Sequence, residues 1–208
     1  VRERATGALA FDDGDGRWPR RILLREGDLT NAASDESEDA LVRYLVSRGD
    51  LAPEVARAGP KLPQSGRHAA AALIARGILE QDELSSTLRA HAEWLVARVL
   101  ESGPKAVRLE SAPPERLRAE PNVFGGAAGA EIFVDAVRRV LTPEAALSRL
   151  GGLGVRLRAG MRVELMVETA LDEAETAAIR HADGRTVGEL LAVRGPDFGS
   201  LLYALVCL

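Results

Sequence analysis

Leu45-Val46-Ser47-Arg48-Gly49-Asp50-Leu51 is answered 28 positions later by Leu73-Ile74-Ala75-Arg76-Gly77-Ile78-Leu79. Each stretch puts an apolar pair at the end of a helix, a basic residue in the last turn, and a glycine where the chain needs a left-handed cap before the next apolar anchor. One helix-turn-helix unit is therefore expected twice. A repeat of this kind builds a packed scaffold, and the remaining segments read outward from it as a small sheet before and further helices after.

Upstream, Thr6 to Phe11 reads as a short strand and the acids and glycines from Asp12 to Gly16 as a turn. Arg20 to Arg25 reads as a second strand, Glu26-Gly27-Asp28 as a tight reversal and Leu29 to Ala33 as a third strand, together an antiparallel β-meander. The acids between Ser34 and Asp39 precede an apolar-periodic segment, the charge placement that a helix N-terminus favours. Leu41, Tyr44 and Leu45 form the stripe of the first helix, and Pro53-Glu54 opens a second. A loop around Gly59-Pro60-Lys61-Leu62-Pro63 leads to a third helix over 67–76. The fourth starts at Gln81 or Asp82, and from Leu84 to Leu100 its apolar residues recur at helical spacing, with His91 on the same stripe. After Gly103-Pro104, Lys105 to Glu110 alternates like a strand that returns to the meander.

Ala112-Pro113-Pro114 marks the expected boundary between a domain over 1–111 and a mostly helical domain over 112–208. Ala130 to Leu141 reads as a helix, and Thr142-Pro143-Glu144 places a capping hydroxyl before a first-turn proline, so another helix runs to Leu150. Val155 to Arg158 and Arg162 to Val167 alternate as strands do. Asp172 to Glu175 and Thr186 to Glu189 have the form of capping boxes, and a last helix runs from Asp197 to the end. Short helices on tight turns suggest a winged-helix-like module. The fold class is α+β.

Composition excludes several functions. Charged residues make up 28% and hydrophobic residues 46%, a balance that supports a buried core. The formal charge is −4, and residues 1–111 and 112–208 carry −2 each, so neither part offers the positive field that drives nonspecific nucleic-acid binding. A single cysteine, Cys207, rules out an internal disulfide framework and fits a reducing, cytoplasmic setting. No apolar run is long enough for a transmembrane helix. Opening on Val1 and ending on Val206-Cys207-Leu208, the chain reads as a piece of a longer polypeptide.

The order of Thr6-Gly7-Ala8-Leu9, Arg21-Ile22-Leu23-Leu24-Arg25-Glu26-Gly27-Asp28-Leu29, Ala32, Ser34 and the paired Leu-Arg-Gly-Leu units resembles the PATAN domain over residues 1–111. Two features depart from the family: its usual helix ahead of the Thr-Gly strand is missing or lies ahead of Val1, and Ala69-Ala70 stands where a Leu-Gly pair is usual. Asp183 to Leu190 is similar to a segment that recurs in helical domains following PATAN modules in myxobacteria-like proteins. The resemblance implies a noncatalytic bacterial module, fused to receiver or other signalling domains in proteins that control motility, polarity and gene expression. Its implied partners are receiver-domain, GTPase or motility proteins.

Reactive chemistry finds little support in the pattern. His68, His91 and His181 are far apart and form no metal-binding spacing. Gly125-Gly126-Ala127-Ala128-Gly129 lacks the lysine and hydroxyl of a phosphate loop. No serine occupies a nucleophile elbow. We therefore assign no catalytic residue, metal or cofactor. The one local basic cluster is Arg17, Arg20, Arg21 and Arg25 with Trp18 beside it, residue types that anchor protein interfaces. It is the candidate protein-binding site, although strand alternation sends Arg20 and Arg21 to opposite faces. The leading expectation is a signalling adaptor; the alternatives are a DNA-binding regulator using the C-terminal helices, where 186–208 supplies only Arg194 for a groove, and an enzyme or small-molecule sensor.

Overall fold

In the computed structural model the described residues are 5–58, 63, 66–160 and 167–208. They form two compact units, Val1–Ala127 and Ala128–Leu208, and together an α+β protein. In the first unit, strands β1 (Gly7–Phe11), β2 (Arg20–Arg25), β3 (Asp28–Ser34) and β4 (Val107–Glu110) make an antiparallel sheet in the order β3-β2-β1-β4. The last strand returns beside the first, as its alternation suggests. Gly7 sits where they part: a Cβ there would lie 2.3 Å from the Glu110 carbonyl oxygen.

Helices α1 (Leu41–Arg48), α2 (Pro53–Ala58), α3 (Gly66–Ile74) and α4 (Leu84–Ser102) follow the meander. The two halves of the repeat end with the same hydrogen bonds. Gly49 donates to Val46 O and Asp50 to Leu45 O; Gly77 donates to Ile74 O and Ile78 to Leu73 O. Both glycines have positive φ, 82° and 65°, as a Schellman cap requires. The reversal lets Leu51 and Leu79 fold back into one core with Leu41, Leu45, Ala70, Leu73 and Leu88. Burying a leucine as fully as Leu73 contributes about 1.5–3 kcal/mol, so the caps are worth their conformational cost.

Helix α4 packs against β3 and β2 on one face of the sheet. On the other face a short helix, α5 (Glu115–Arg118), seats Leu117 against Ala8 and Leu23. Both faces of the central strands are thereby covered, which explains why Ile22 and its neighbour Leu23 are both buried. Further on, Asn31 donates through its side chain to Pro121 O, and Val123 N–H donates to Thr30 O. Residues beyond the Ala112-Pro113-Pro114 boundary thus pack on the first unit as far as Phe124, which is buried.

The second unit contains α6 (Gly129–Val140), α7 (Pro143–Leu150), α8 (Glu173–Arg180), α9 (Val187–Arg194) and α10 (Phe198–Cys207). Local signals fix most of these ends. Thr142 accepts from Ala145 N–H, and both capping boxes, Asp172 with Glu175 and Thr186 with Glu189, are closed. Apolar α10 packs on α6 and α7, burying Leu201, Leu202 and Ala204, while Ser200 Oγ satisfies the carbonyl of Leu141. Val155 to Arg158 does not become a full strand. It lies antiparallel to 185–187, with Leu157 N–H donating to Arg185 O and Val187 N–H to Val155 O around a single bridge between Arg156 and Thr186. The strand expected over 162–167 and the loop expected around 59–63 fall outside the described residues except at Val167 and Pro63.

Because the two caps are equivalent, Gly49→Ala and Gly77→Ala should each lower stability by about 1 kcal/mol, the cost of holding an L-residue in the left-handed region. Urea titrations of the two variants check this through matched falls in midpoint.

Candidate functional site

Strand alternation determines what the basic cluster becomes. Cross-strand partners share a face, so Arg20 lies with Ser34, and Arg21 with Ala10 and Ala33. Arg20 turns toward α4 and Arg21 toward the α5 side.

On the α4 side the chain buries a carboxylate. Asp39, at the end of a 3-10 turn over Ser37–Asp39, is only 1% exposed. Its Oδ2 receives Arg20 Nε at 2.6 Å and the Ser34 hydroxyl at 2.7 Å, and its Oδ1 receives Arg20 Nη2 and Arg98 Nε, both at 3.3 Å. Burial would raise the carboxyl pKa, but the hydrogen bonds from Arg20 and Ser34 and the charges of Arg20 and Arg98 outweigh it and hold the group below its usual range. One residue therefore binds β2, β3 and α4 together.

His91 completes this arrangement from α4. Its Nε2 lies 2.8 Å from the backbone carbonyl of Asp39, an acceptor only, so this nitrogen carries the proton. Tyr44 and Trp94 flank the ring at centroid distances of 5.6 and 5.9 Å. Burial lowers the imidazole pKa, against the opposing pull of the Asp39 carbonyl, so the ring is held neutral.

Ser34, Asp39 and His91 also border a cavity of about 50 Å³ with Arg116 and Glu120. A water occupies roughly 30 Å³, whereas ligand pockets start near 300 Å³. The hydroxyl of Ser34 gives its proton to Asp39, and His91 donates to a main-chain carbonyl. These groups are arranged to hold elements in place, with no base set against a nucleophile.

The opposite face carries a second, more open network. Arg21 Nε meets Glu110 Oε2 at 2.9 Å and its Nη1 meets Asp35 at 3.1 Å; Arg116 reaches Asp35 at 2.7 Å. Hydrogen bonds from Arg21 and then Arg108 lower the Glu110 pKa despite slight burial. The Arg108 guanidinium also lies over the Trp18 ring, 4.3 Å from its centroid.

The five candidate residues thus divide. Arg20 and Arg21 are committed to internal ion pairs, while Arg17 is exposed and bound to Asp13 and Glu36 at the rim. Arg25 is exposed at the far end of β2, and Trp18 is half-buried beneath Arg108. Arg17, Trp18 and Arg25 are thus the members that lie outside the internal ion pairs of Arg20 and Arg21. Sequence reasoning missed Asp39 and Arg98 because their contacts span 19 and 59 positions; the two arginines that open the apolar strand Arg20–Arg25 are the available signal.

In the second unit an apolar groove of about 1010 Å³ is lined by Leu157, Ile179, Leu202 and Leu205 among others. Its wall includes Gly160 and Val167, which flank residues outside the described set, and we assign it no ligand. Among the described residues, no cluster of His, Cys, Asp and Glu could hold a metal ion, and no helix is long and apolar enough to cross a membrane. Compared with protein-family models, curated proteins and solved structures, the chain matches none.

Removing the Asp39 carboxylate leaves two arginines facing each other without their counter-ion, so Asp39→Ala should cost about 3–5 kcal/mol in chemical denaturation. His91 adds a pH dependence. The fold keeps the ring neutral, so below the unfolded value of about 6.5 the unfolded chain binds a proton that the fold refuses. Stability should fall with pH from about 6.5, by at most about 1.4 kcal/mol per pH unit. The Asp39 contribution persists until the pH drops below the ordinary carboxylate range, because its folded pKa is depressed. His91→Gln should flatten the profile between pH 6.5 and 5 and leave the acid limb in place.

Proposed function

We propose that this chain is a noncatalytic signalling adaptor of the PATAN type, acting in the cytoplasm of a bacterium by docking to protein partners in motility, polarity or two-component regulation. What supports the assignment to this type is the ordered resemblance over residues 1–111. The observation that carries the docking mechanism is the outward half of the basic cluster. The ionisable groups that converge inside the first unit are consumed by the Asp39 network, whereas Arg17, Arg25 and the Arg108-Trp18 stack are presented at its surface. Arginine and tryptophan are the side chains that most often anchor protein interfaces. An acidic partner surface would meet Arg25 directly and exchange with Asp13 and Glu36 for Arg17.

The test uses two exposed positions that stand apart from the buried network. The full chain, immobilised, should retain a specific set of proteins from a motility-competent bacterial lysate, and Arg17→Gln/Arg25→Gln should lose them while keeping the wild-type melting curve. An identical set on both baits, or no specific protein on either, contradicts the reading.

A further inference from the structure

The two edges of the sheet are treated differently. Along β3 the outer edge is occupied, since Thr30 O accepts from Val123 N–H and the Asn31 side chain bonds Pro121 O. Along β4 the described residues provide no neighbouring strand. Its register against β1 is regular and it contains no proline; its guards are its four-residue length and the charges of Arg108 and Glu110, which have opposite signs and so oppose a second strand only in some registers. It also exposes Val107 and Leu109, at 53% and 52%, on the same face as half-buried Leu9 and Phe11 opposite them.

The hydrogen-bond phase of that edge is fixed. Asp12 N–H donates to Ala106 O, so by the alternation of an antiparallel ladder Ala106, Arg108 and Glu110 bond toward β1. The N–H and C=O groups of Val107, Leu109 and Ser111 point the other way. Any antiparallel strand added there must match these odd-numbered positions.

Only certain registers do so when the added strand is another β4. A two-fold axis at Arg108 would set Arg108 against its own copy, and one at Glu110 would oppose two carboxylates, both repulsive. Placing the axis at Leu109 brings Leu109 opposite Leu109 and Val107 opposite Ser111, and it faces Arg108 with Glu110 twice over. That register satisfies the outward groups, matches charge with charge and extends the apolar strip across the axis.

We propose that β4 is a self-association edge, at which a second copy of this chain pairs antiparallel about a two-fold axis through Leu109 to make one eight-stranded sheet. The pairing is isologous; it shares Arg108 with the docking surface but uses neither Arg17 nor Arg25, so a variant at those two positions leaves it intact. A four-residue strand supplies few hydrogen bonds, and the dimer accordingly forms in a concentration-dependent way.

Cysteine cross-linking of the full chain tests the register. In a Cys207→Ser background, Leu109→Cys sets two thiols across the axis with Cα atoms about 5.5 Å apart, within disulfide reach. Val107→Cys, four residues out of register with its copy, sets them about 13 Å apart. Mild oxidation should convert Leu109→Cys to covalent dimer at least tenfold faster than Val107→Cys. Sedimentation velocity should show wild-type dimer growing with concentration and Leu109→Lys, which opposes two ammonium groups, remaining monomeric with unchanged circular dichroism. Equal cross-linking at the two positions, a wild-type chain monomeric at every concentration, or a dimer that Leu109→Lys leaves intact would each overturn the proposal.

Discussion

A carboxylate withdrawn from water must be matched by charge and hydrogen bonds or it will protonate, and the first unit of this protein is arranged around one such group. Asp39 joins the meander to the helices: Arg20 reaches it from β2, Ser34 from β3 and Arg98 from α4, while His91 binds its main-chain carbonyl. Hydrophobic burial alone would let α4 slide or rotate on the sheet at small cost, because aliphatic contacts are non-directional. Directed bonds from four residues to one allow a single register. Specificity of packing, more than net stability, is what a buried ion pair of this kind contributes.

That constraint also governs what the surface can do. Arg20 cannot serve a partner while it neutralises Asp39, and Arg21 is similarly held by Glu110 and Asp35. The members of the cluster outside these internal pairs are Arg17 and Arg25 at its ends and Trp18 beneath Arg108, and the docking we propose rests on them. The same accounting separates polar residues that look reactive from those that are. Ser34, Asp39 and His91 stand close together, yet every proton among them that the structure places is already donated to a structural acceptor.

Features written locally were legible in the sequence. The repeated glycine caps, the Thr142 cap and the two capping boxes each need only a few consecutive residues to act, and all appear where the spacing places them. Alternation in Arg20 to Arg25 correctly separated two arginines onto two faces. Long-range pairings were not legible. The acids before α1 read as helix-end charge, yet Asp39 lies in a 3-10 turn and faces inward, because its partners come from strands and a helix distant in sequence. Residues 115–118 follow the expected boundary at Ala112-Pro113-Pro114, yet one buried leucine, Leu117, is enough to fasten that helix to the sheet of the first unit. Likewise the half-strand at Val155 to Arg158 pairs with 185–187 through a contact that alternation alone does not reveal.

Hydrogen exchange on Asp39→Ala, compared with wild type under conditions where both are folded, bears most directly on the central role of the buried carboxylate. Amides in β2, β3 and α4 should lose protection together, while those in α6, α7 and α10 keep it. Loss of protection confined to residues 36–41 would contradict that role, since Asp39 would then be a local cap and not the joint between sheet and helices.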